Sequence, residues 1–365
     1  MKKTIIGHLL CLLLTGMAGR VGAQTPDWPS PEAEQMYNQG MNSLSRGNTQ
    51  EAIAIFQKTL QVAPRTFVVH RSLAQAYQVA GESANAIKVL EPLFASQDAD
   101  AECYRIAGQA YAGNNDFNKA RKILNEGIGR HSKSGMLYYE LGVIYEKQED
   151  LEKALKSWLD GIANDESYHL NYFEAAMAYM RTDNAIWPII YGEIFVNKEP
   201  NTQRGFQARV LLLDAYKKLF FTPSKNVTGE KPFGYTPSTF EEAVKQTYMS
   251  LFFVVSDGLT TENLTMLRSR FIISWKNNFA GRYPFSLFDY QEEMMRNGYF
   301  DAYNQWLFKV ENPKSFELWS ASFSQDMSRF QQNMAAHPLK MTQTDDYNRQ
   351  RNFKNMFPAE PKQKR

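Results

Sequence analysis

The feature that most constrains this chain of 365 residues is a 34-residue spacing that recurs through its first half. Three series of residues keep this step. They are the small residues Gly40, Ala74, Gly108 and Gly142, the alanines Ala52, Ala86, Ala120 and Ala154, and the large apolar residues Phe56, Leu90, Leu124 and Trp158. Polar stretches such as GNNDFN and KQEDLE lie inside each unit and are typical of breaks between helices. The constant step predicts a stack of two-helix units that share one apolar core.

A fifth unit continues the same phase but departs from the pattern. Its first helix carries Tyr172, Ala176 and Tyr179, whereas Pro188 replaces the repeating alanine of the second helix. Proline is tolerated in a first helical turn but not in a helix interior, so the second helix is predicted to begin near Pro188. We therefore predict four regular units and one divergent unit, at residues 33–66, 67–100, 101–134, 135–168 and 169–202.

This pattern resembles the tetratricopeptide repeat, whose consensus is W-x2-L-G-x2-Y…A-x3-F…P. The fourth unit matches that consensus most fully, through Tyr138, Leu141, Gly142, Tyr145, Ala154 and Trp158. The resemblance covers residues 33–202. It implies a right-handed superhelix whose concave wall is formed by the first helix of each unit. The lysines and asparagines with which some members of the family clamp a C-terminal carboxylate are absent, because Tyr37, Met41 and Ser72 stand at matching places.

Side chains on the first helices that lie outside the packing pattern are expected to face this groove. The predicted partner-binding residues are Tyr37, Asn38, Arg71, Gln75, Arg105, Gln109, Tyr139 and Phe173. Arginine and glutamine can pair with peptide backbone or carboxylate, and aromatic faces add contact area at low entropic cost. The alternative is that these are solvated side chains on a repeat whose partner docks elsewhere.

The first 23 residues have the composition of a cleaved secretory signal. Lys2 and Lys3 precede an apolar run over residues 5–17, and Ala23 supplies a small residue before the expected cut. The run is too short to span a membrane, which takes about 20 apolar residues. Removing this segment takes away three basic residues and no acidic ones, so the formal net charge changes from +2 to −1. That balance gives no support for nucleic-acid binding, and we expect a periplasmic or secreted protein.

The second half of the chain keeps a helical pattern but is expected to lose the repeat. Residues 24–32 lead into the repeats, residues 203–338 are predicted to form an α-helical domain, and residues 339–365 to form a basic, disordered tail. Helices are predicted at about 205–221, 240–255, 260–278, 284–296, 299–308 and 313–334. Residues 203–365 hold 29 of the 49 aromatic residues, and at helical spacing such residues are core by default. It resembles only uncharacterised segments of exported repeat proteins of Bacteroidota-like bacteria.

Motifs for catalysis or metal binding are missing from the sequence. No histidine pair has the spacing of a zinc helix, and no nucleophile elbow, Walker loop or dinucleotide fingerprint is present. Cys103, the one cysteine outside the predicted signal, has no disulfide partner. We therefore predict no catalytic residue, metal or cofactor.

The sequence thus predicts an all-α protein, a repeat solenoid followed by an aromatic-rich helical domain. Its expected role is a non-catalytic protein-interaction scaffold of the bacterial envelope, with a protein or peptide partner in the groove. Two alternatives stay open. The C-terminal domain could bind glycan or peptidoglycan through exposed tryptophans among Trp275, Trp306 and Trp319, or it could be a hydrolase with a dispersed site. The basic tail could also touch an anionic surface.

Overall fold

A computed structural model describes residues 28–96, 99–222, 236–348 and 357. The predicted signal peptide, most of the polar stretch between residues 222 and 239, and most of the basic tail lie outside these residues. Within the described part the regular secondary structure is helical, which confirms the predicted all-α class. The helices are α1 Pro31–Ser45, α2 Thr49–Val62, α3 Phe67–Val79, α4 Ser83–Ala95, α5 Ala101–Gly113, α6 Phe117–Arg130, α7 Gly135–Lys147, α8 Leu151–Asn164, α9 Leu170–Met180, α10 Ile186–Lys198, α11 Gln203–Phe221, α12 Phe240–Met249, α13 Thr261–Asn278, α14 Ser286–Arg296, α15 Phe300–Leu307, α16 Pro313–Ser322 and α17 Ser324–Ala336.

The chain divides into two compact units, residues 1–73 and 74–365. In the first unit, α1 packs against α2 through a close approach at Gly40. A Cβ atom at Gly40 would lie 2.5 Å from the Phe56 ring, and Phe56 is fully buried. Only glycine therefore lets these two helices come this near without displacing the ring.

The second unit repeats the same contact twice. A Cβ atom at Gly108 would lie 2.7 Å from Leu124 Cγ, and one at Gly142 would lie 2.6 Å from Trp158 Cδ1. In the first, third and fourth repeats the small residue thus faces the large residue 16 positions later. This contact explains why the two series share the 34-residue step. From α4 to α11 each helix packs on the next, as a stack of helix pairs requires. The predicted solenoid is confirmed.

The turns inside the first four 34-residue repeats share one backbone conformation. Gly47, Gly81, Asn115 and Glu149 have φ angles of 82°, 78°, 59° and 62°, in the left-handed region that ends many helices. They too recur at the constant step of the repeat. In the third and fourth repeats the residue after this turn position caps the second helix. The side chain of Asp116 accepts a hydrogen bond from Lys119 N, and that of Asp150 accepts one from Lys153 N. Glycine adopts the left-handed conformation at little cost, whereas Glu149 does so against its side-chain sterics.

The C-terminal helices share a core with the end of the repeat region. One cluster of buried apolar residues extends from Ala154 in α8 to Met341 after α17. At its centre, the carboxylate of Glu193 on α10 accepts hydrogen bonds from Arg268 on α13, at 2.9 and 2.6 Å. The same carboxylate accepts from Gln291 on α14 and Tyr303 on α15, both at 2.7 Å. A repeat helix thus holds three helices of the C-terminal half.

Three details of the C-terminal half differ from the sequence pattern. The helix predicted over residues 240–255 ends at Met249 and is followed by a short 3₁₀ helix, Phe252–Val254. The region predicted as one helix over residues 313–334 is two helices, with Phe323 at the break. Residues 339–348, which the sequence assigned to a disordered tail, pack against other residues of the second unit: Leu339 and Met341 are buried, and Asn348 Nδ2 donates to the Tyr191 hydroxyl at 2.6 Å. The Tyr347 ring stacks on Phe240 with centroids 4.3 Å apart.

Candidate functional site

A hydrogen-bonded polar network lies between α5 and α7 of the second unit. Arg105 Nε donates to Glu102 at 2.8 Å, and its terminal nitrogen donates to Gln109 Oε1, also at 2.8 Å. Gln109 Nε2 in turn donates to the carboxylate of Glu140 at 2.7 Å, which Arg105 approaches to 4.0 Å. Arg105 and Gln109, both predicted from sequence, are therefore partly engaged with one another and with acidic neighbours.

Glu140 is the buried member of this network, with 7% of its surface exposed. Burial raises the pKa of Glu140 to about 7, while Arg105 and the hydrogen bond from Gln109 act in the opposite direction. Near neutral pH this carboxyl group thus exists in both protonation states. A group of this kind inside a polar cluster is a candidate for a functional role.

Two tyrosines adjoin the network. The rings of Tyr139 on α7 and Tyr168 in the turn before α9 meet at 61°, with centroids 5.9 Å apart. Burial raises the pKa of both hydroxyls above the usual value, so both are neutral at physiological pH. Gly135 allows this placement, because a Cβ atom there would lie 2.6 Å from Tyr168 Cβ. The rings offer neutral aromatic faces beside the acidic groups.

A second carboxylate with a raised pKa is Glu174 on α9. Burial raises the pKa of Glu174 to about 7; Glu146 adds to this effect, while Arg204 and a hydrogen bond from Tyr139 oppose it. Among the described residues no basic group lies within 4.0 Å of this carboxylate. Arg204, in the first turn of α11, influences it from a greater distance.

One exposed apolar side chain lies on the same helix as Glu174. Met177, one turn beyond Glu174 on α9, is 44% exposed. Leu211, which stands 34 positions after Met177 on α11, is buried, so this exposed position is not repeated there. We call the following set the first-helix face: Arg105, Gln109, Tyr139, Glu140, Tyr168, Glu174 and Met177. It combines acidic, aromatic and apolar groups on consecutive first helices.

The other predicted binding residues lie in different surroundings. In the first unit, Asn38 is exposed, the Tyr37 hydroxyl lies 3.2 Å from Ser72 Oγ, and the Arg71 guanidinium lies 5.8 Å from the Phe67 ring centroid. In the second unit, Gln75 is half-buried, while Phe173 is buried with its ring 4.9 Å from that of Phe195. Phe173 thus serves mainly in packing.

Glu140, Tyr168 and Glu174 were not predicted from sequence, although the repeat contains a signal for two of them. Glu140 and Glu174 stand at the same place in consecutive units, which Ser72 and Ile106 occupy in earlier units. Ser72 and Ile106 are both buried. In the first repeat Asn38 holds this position and is exposed. A carboxylate at a position that is buried in the second and third repeats is costly unless it is paired or protonated, so its presence points to a specific use.

The tryptophans predicted as a possible glycan-binding surface of the C-terminal domain are largely buried. Trp275 and Trp306 are 1% and 5% exposed, so neither ring is available as a stacking platform, and Trp319 is half-buried against Phe323. A cavity beside α9 and α10 is lined by Tyr172, Tyr191 and Asp345, among others. The Asp345 carboxylate already accepts from Ser286 N at 2.7 Å, at the start of α14. The Asp345 carboxylate thus fixes the backbone at the start of α14.

Two searches of the described residues were negative. They contain no group of three or more histidine, cysteine, aspartate or glutamate side chains placed to hold a metal ion. None of their helices is both long enough and apolar enough to cross a membrane.

Comparison with known proteins agrees with the helix-pair architecture. The family model of the tetratricopeptide repeat matches residues 106–169, which include most of α5 and all of α6, α7 and α8. No curated protein matches the chain.

Several solved structures are similar to this chain at low identity. TTC0263, a thermophilic tetratricopeptide-repeat protein of Thermus thermophilus, is 16% identical; the match covers 50% of this chain and 98% of that one, with a TM-score of 0.41. PilF of Pseudomonas aeruginosa is 16% identical, with 72% and 97% covered and a TM-score of 0.37. YrrB, described as having an unusual peptide-binding site, is 13% identical, with 49% and 92% covered and a TM-score of 0.35.

Proposed function

We propose that this tetratricopeptide-repeat protein is a non-catalytic scaffold that binds a segment of another protein on its first-helix face. The observation that carries the proposal is the composition of that face. Met177 is exposed one turn after Glu174 on α9, and α9 contacts α7, whose Tyr139 ring packs with that of Tyr168. Exposed apolar groups next to aromatic and charged ones are typical of surfaces that bind proteins.

The packing of the helices supports the same proposal. The buried aromatic side chains of the C-terminal half form the core, where Glu193 and Arg268 fix the helices against α10, whereas Phe253, Ile273 and Leu318 of that half are exposed. The first-helix face differs because its exposed apolar side chain, Met177, stands one turn from a half-buried carboxylate, that of Glu174. A partner segment that covers Met177 would remove its apolar surface from water, at about 25 cal/mol for each Å² of apolar area.

We place this scaffold in the bacterial envelope on the strength of residues 1–23 alone. Their charged start and apolar run have the composition of an export signal. Expression of the whole chain with a C-terminal tag, followed by fractionation and mass spectrometry of the N-terminus, tests this part. A periplasmic or secreted protein that begins at Gln24 supports it, and an uncleaved protein that stays in the cytoplasm contradicts it.

The binding proposal is tested with a matched pair of variants. The tagged protein, residues 24–365, is crosslinked in the native envelope as wild type, Met177→Asp and Met266→Asp. Met266 is the control, since it is 49% exposed on α13, outside the first-helix face. A protein captured by the wild type and by Met266→Asp but lost with Met177→Asp supports the proposal. Capture that survives Met177→Asp, or that is lost only with Met266→Asp, assigns binding to another surface.

A further inference from the structure

The short 3₁₀ helix Phe252–Val254, between α12 and α13, carries phenylalanines that the core does not cover. Phe252 and Phe253 are 38% and 60% exposed. The Phe252 ring centroid lies 6.1 Å from that of Phe221, the last residue of α11, which is 47% exposed. Three aromatic side chains thus lie together in solvent. Covering them is favourable, because phenylalanine has no polar atom that water can satisfy.

The helices on either side of this turn extend the apolar surface. Met249 ends α12, three residues before Phe252, and is 43% exposed. On α13, the Arg270 guanidinium carbon lies 5.3 Å from the centroid of the Phe253 ring, an arrangement in which cation and ring attract each other. Met266 and Ile273 stand four residues before and three residues after Arg270, so they share its face of α13, and both are exposed. We call the following set the turn patch: Phe221, Met249, Phe252, Phe253, Met266, Arg270 and Ile273.

The turn patch has the size of a protein interface. Its six apolar side chains are between 38% and 60% exposed. Side chains of this size have about 200 Å² of surface, so their exposed parts amount to roughly 600 Å². Each partner of a stable complex buries about 800 Å². The apolar side chains supply most of that area, and Arg270 and the aliphatic stems of neighbouring charged residues add to it.

The composition of the patch is that of an interface core. Aromatic residues, methionine and arginine are enriched in such cores, whereas lysine, aspartate and glutamate are depleted. The turn patch consists of three phenylalanines, two methionines, one isoleucine and one arginine. Its charged neighbours have both signs, whereas a surface for anionic lipid is predominantly basic. The patch therefore fits a protein better than a membrane.

The charged neighbours are divided between two sides of the patch. Lys217 on α11 and Lys245 on α12 are exposed, and each precedes an exposed apolar residue of the patch by one helical turn. Asp257, after the 3₁₀ helix, and Glu262, in the first turn of α13, are exposed as well. Asp214 pairs with Lys217 at 3.0 Å, so Lys245 is the main cation of the basic side. Such a surface complements itself when a two-fold axis reverses it.

We propose that the turn patch is a two-fold interface between two copies of this chain, with Phe253 and Arg270 at its centre. Each copy directs Lys245 toward Asp257 and Glu262 of the other copy. The charge pattern selects a second copy, because a partner of one sign would leave one side of the patch unpaired. The interface involves α11, α12 and α13, so it does not depend on the proposed function at the first-helix face.

The test measures the molar mass of residues 24–365 by light scattering after size exclusion and by sedimentation over a range of concentrations. Wild type is compared with Phe253→Asp, Met266→Asp and the control Leu318→Asp, whose side chain is 72% exposed on α16, outside the patch. Thermal unfolding checks that each variant is folded. Wild type and Leu318→Asp should be dimers, and the two patch variants should raise the dissociation constant by about tenfold or more.

A monomeric wild type, or a dimer that Phe253→Asp leaves unchanged, overturns the inference. Met266→Asp leaves the first-helix face unchanged, so loss of the dimer in that variant does not affect the proposed function. Flotation with vesicles of phosphatidylethanolamine and phosphatidylglycerol examines the other occupant. A monomeric wild type that binds these vesicles, when Phe253→Asp does not, assigns the patch to a membrane and shows that the inference is wrong.

Two further measurements locate the contact. A photoreactive p-benzoylphenylalanine at position 253, in a mixture of isotope-labelled and unlabelled chains, should crosslink to residues 249–273 of the other copy; crosslinks between copies at other places contradict the inference. Lys245→Glu should weaken the dimer at low salt, and Lys245→Glu/Glu262→Lys should recover part of the loss, because the exchanged charges face each other again. A double variant no tighter than the single one contradicts the two-fold arrangement.

Discussion

Replacement of Glu193 by glutamine is expected to destabilise the second unit strongly. The side chains of Glu193 and Arg268 are 2% and 1% exposed, and the carboxylate accepts four hydrogen bonds, two from Arg268 and one each from Gln291 and Tyr303. Burial alone would lower the pKa of Arg268, but the carboxylate reverses this and raises it. The Glu193→Gln variant leaves a buried guanidinium without its counter-charge, which costs about 3–5 kcal/mol of unfolding free energy.

The assay is urea unfolding of residues 24–365, followed by tryptophan fluorescence. Trp187, Trp275 and Trp306 are buried in the core that contains this pair, so their fluorescence reports on its opening. The control is Glu292→Gln. Glu292 also forms ion pairs, at 2.6 Å to Lys276 and to Arg296, but its side chain is 23% exposed, and pairs of this kind contribute at most about 1 kcal/mol.

A loss below about 1 kcal/mol for Glu193→Gln, equal to that of the control, would refute the reasoning. A second comparison separates burial of charge from loss of packing. The double variant Glu193→Leu/Arg268→Met removes both charges and keeps apolar volume. It should be more stable than either single variant, since a buried pair can often be exchanged for apolar residues at little cost.

Four further predictions concern stability. Gly142→Ala should lower the unfolding free energy by about 1–3 kcal/mol because its Cβ would overlap Trp158. Gly129→Ala, with open space around the Cβ, should raise the unfolding free energy by about 0.5–1 kcal/mol. Chemical unfolding of both variants measures the difference, and equal effects would contradict the prediction. Glu149→Gly should raise the unfolding free energy by about 0.5–1 kcal/mol because φ is 62° there, and a loss would show that its side chain matters more. Residues 203–365 expressed alone should show no cooperative thermal transition, since they lack α10 and Glu193, and a sharp transition near that of the whole chain would refute this. The pKa values of Glu140 and Glu174 are raised from 4.5 to about 7, so between pH 4.5 and pH 7 the folded state binds more protons than the unfolded state. The unfolding free energy should therefore fall as the pH rises through this range. The double variant Glu140→Gln/Glu174→Gln should flatten that slope, and an unchanged slope would refute the raised pKa values.

Local patterns predicted the repeat region well, for a reason visible in its contacts. The 34-residue step records one packing contact made repeatedly, in which Gly40, Gly108 and Gly142 each face a large residue 16 positions later. Such contacts join residues that are close in sequence, so their spacing can be recognised in one sequence. The helices of the C-terminal half were predicted approximately for the same reason, since helical periodicity is local.

The residues of the first-helix face were predicted only in part. The repeat phase identified Arg105, Gln109 and Tyr139, which the structure brings together with Glu140 and Glu174. It also selected Phe173, which is buried against Phe195. Phase alone gives the direction of a side chain relative to its helix, but exposure depends on how far the neighbouring helix covers it.

The sequence by itself determined the helix pairs, their turns and the glycines at which they cross, because these depend on residues within a few turns of one another. Only the tertiary structure decided how Glu193 joins Arg268, 75 residues away, and which acidic group of the first-helix face keeps a partner. Contacts over such distances depend on how whole helices are placed, and this follows from the sum of many weak packing interactions. The residue type shows that a side chain is a carboxylic acid, whereas its burial, and therefore its shifted pKa, exists only in the folded chain.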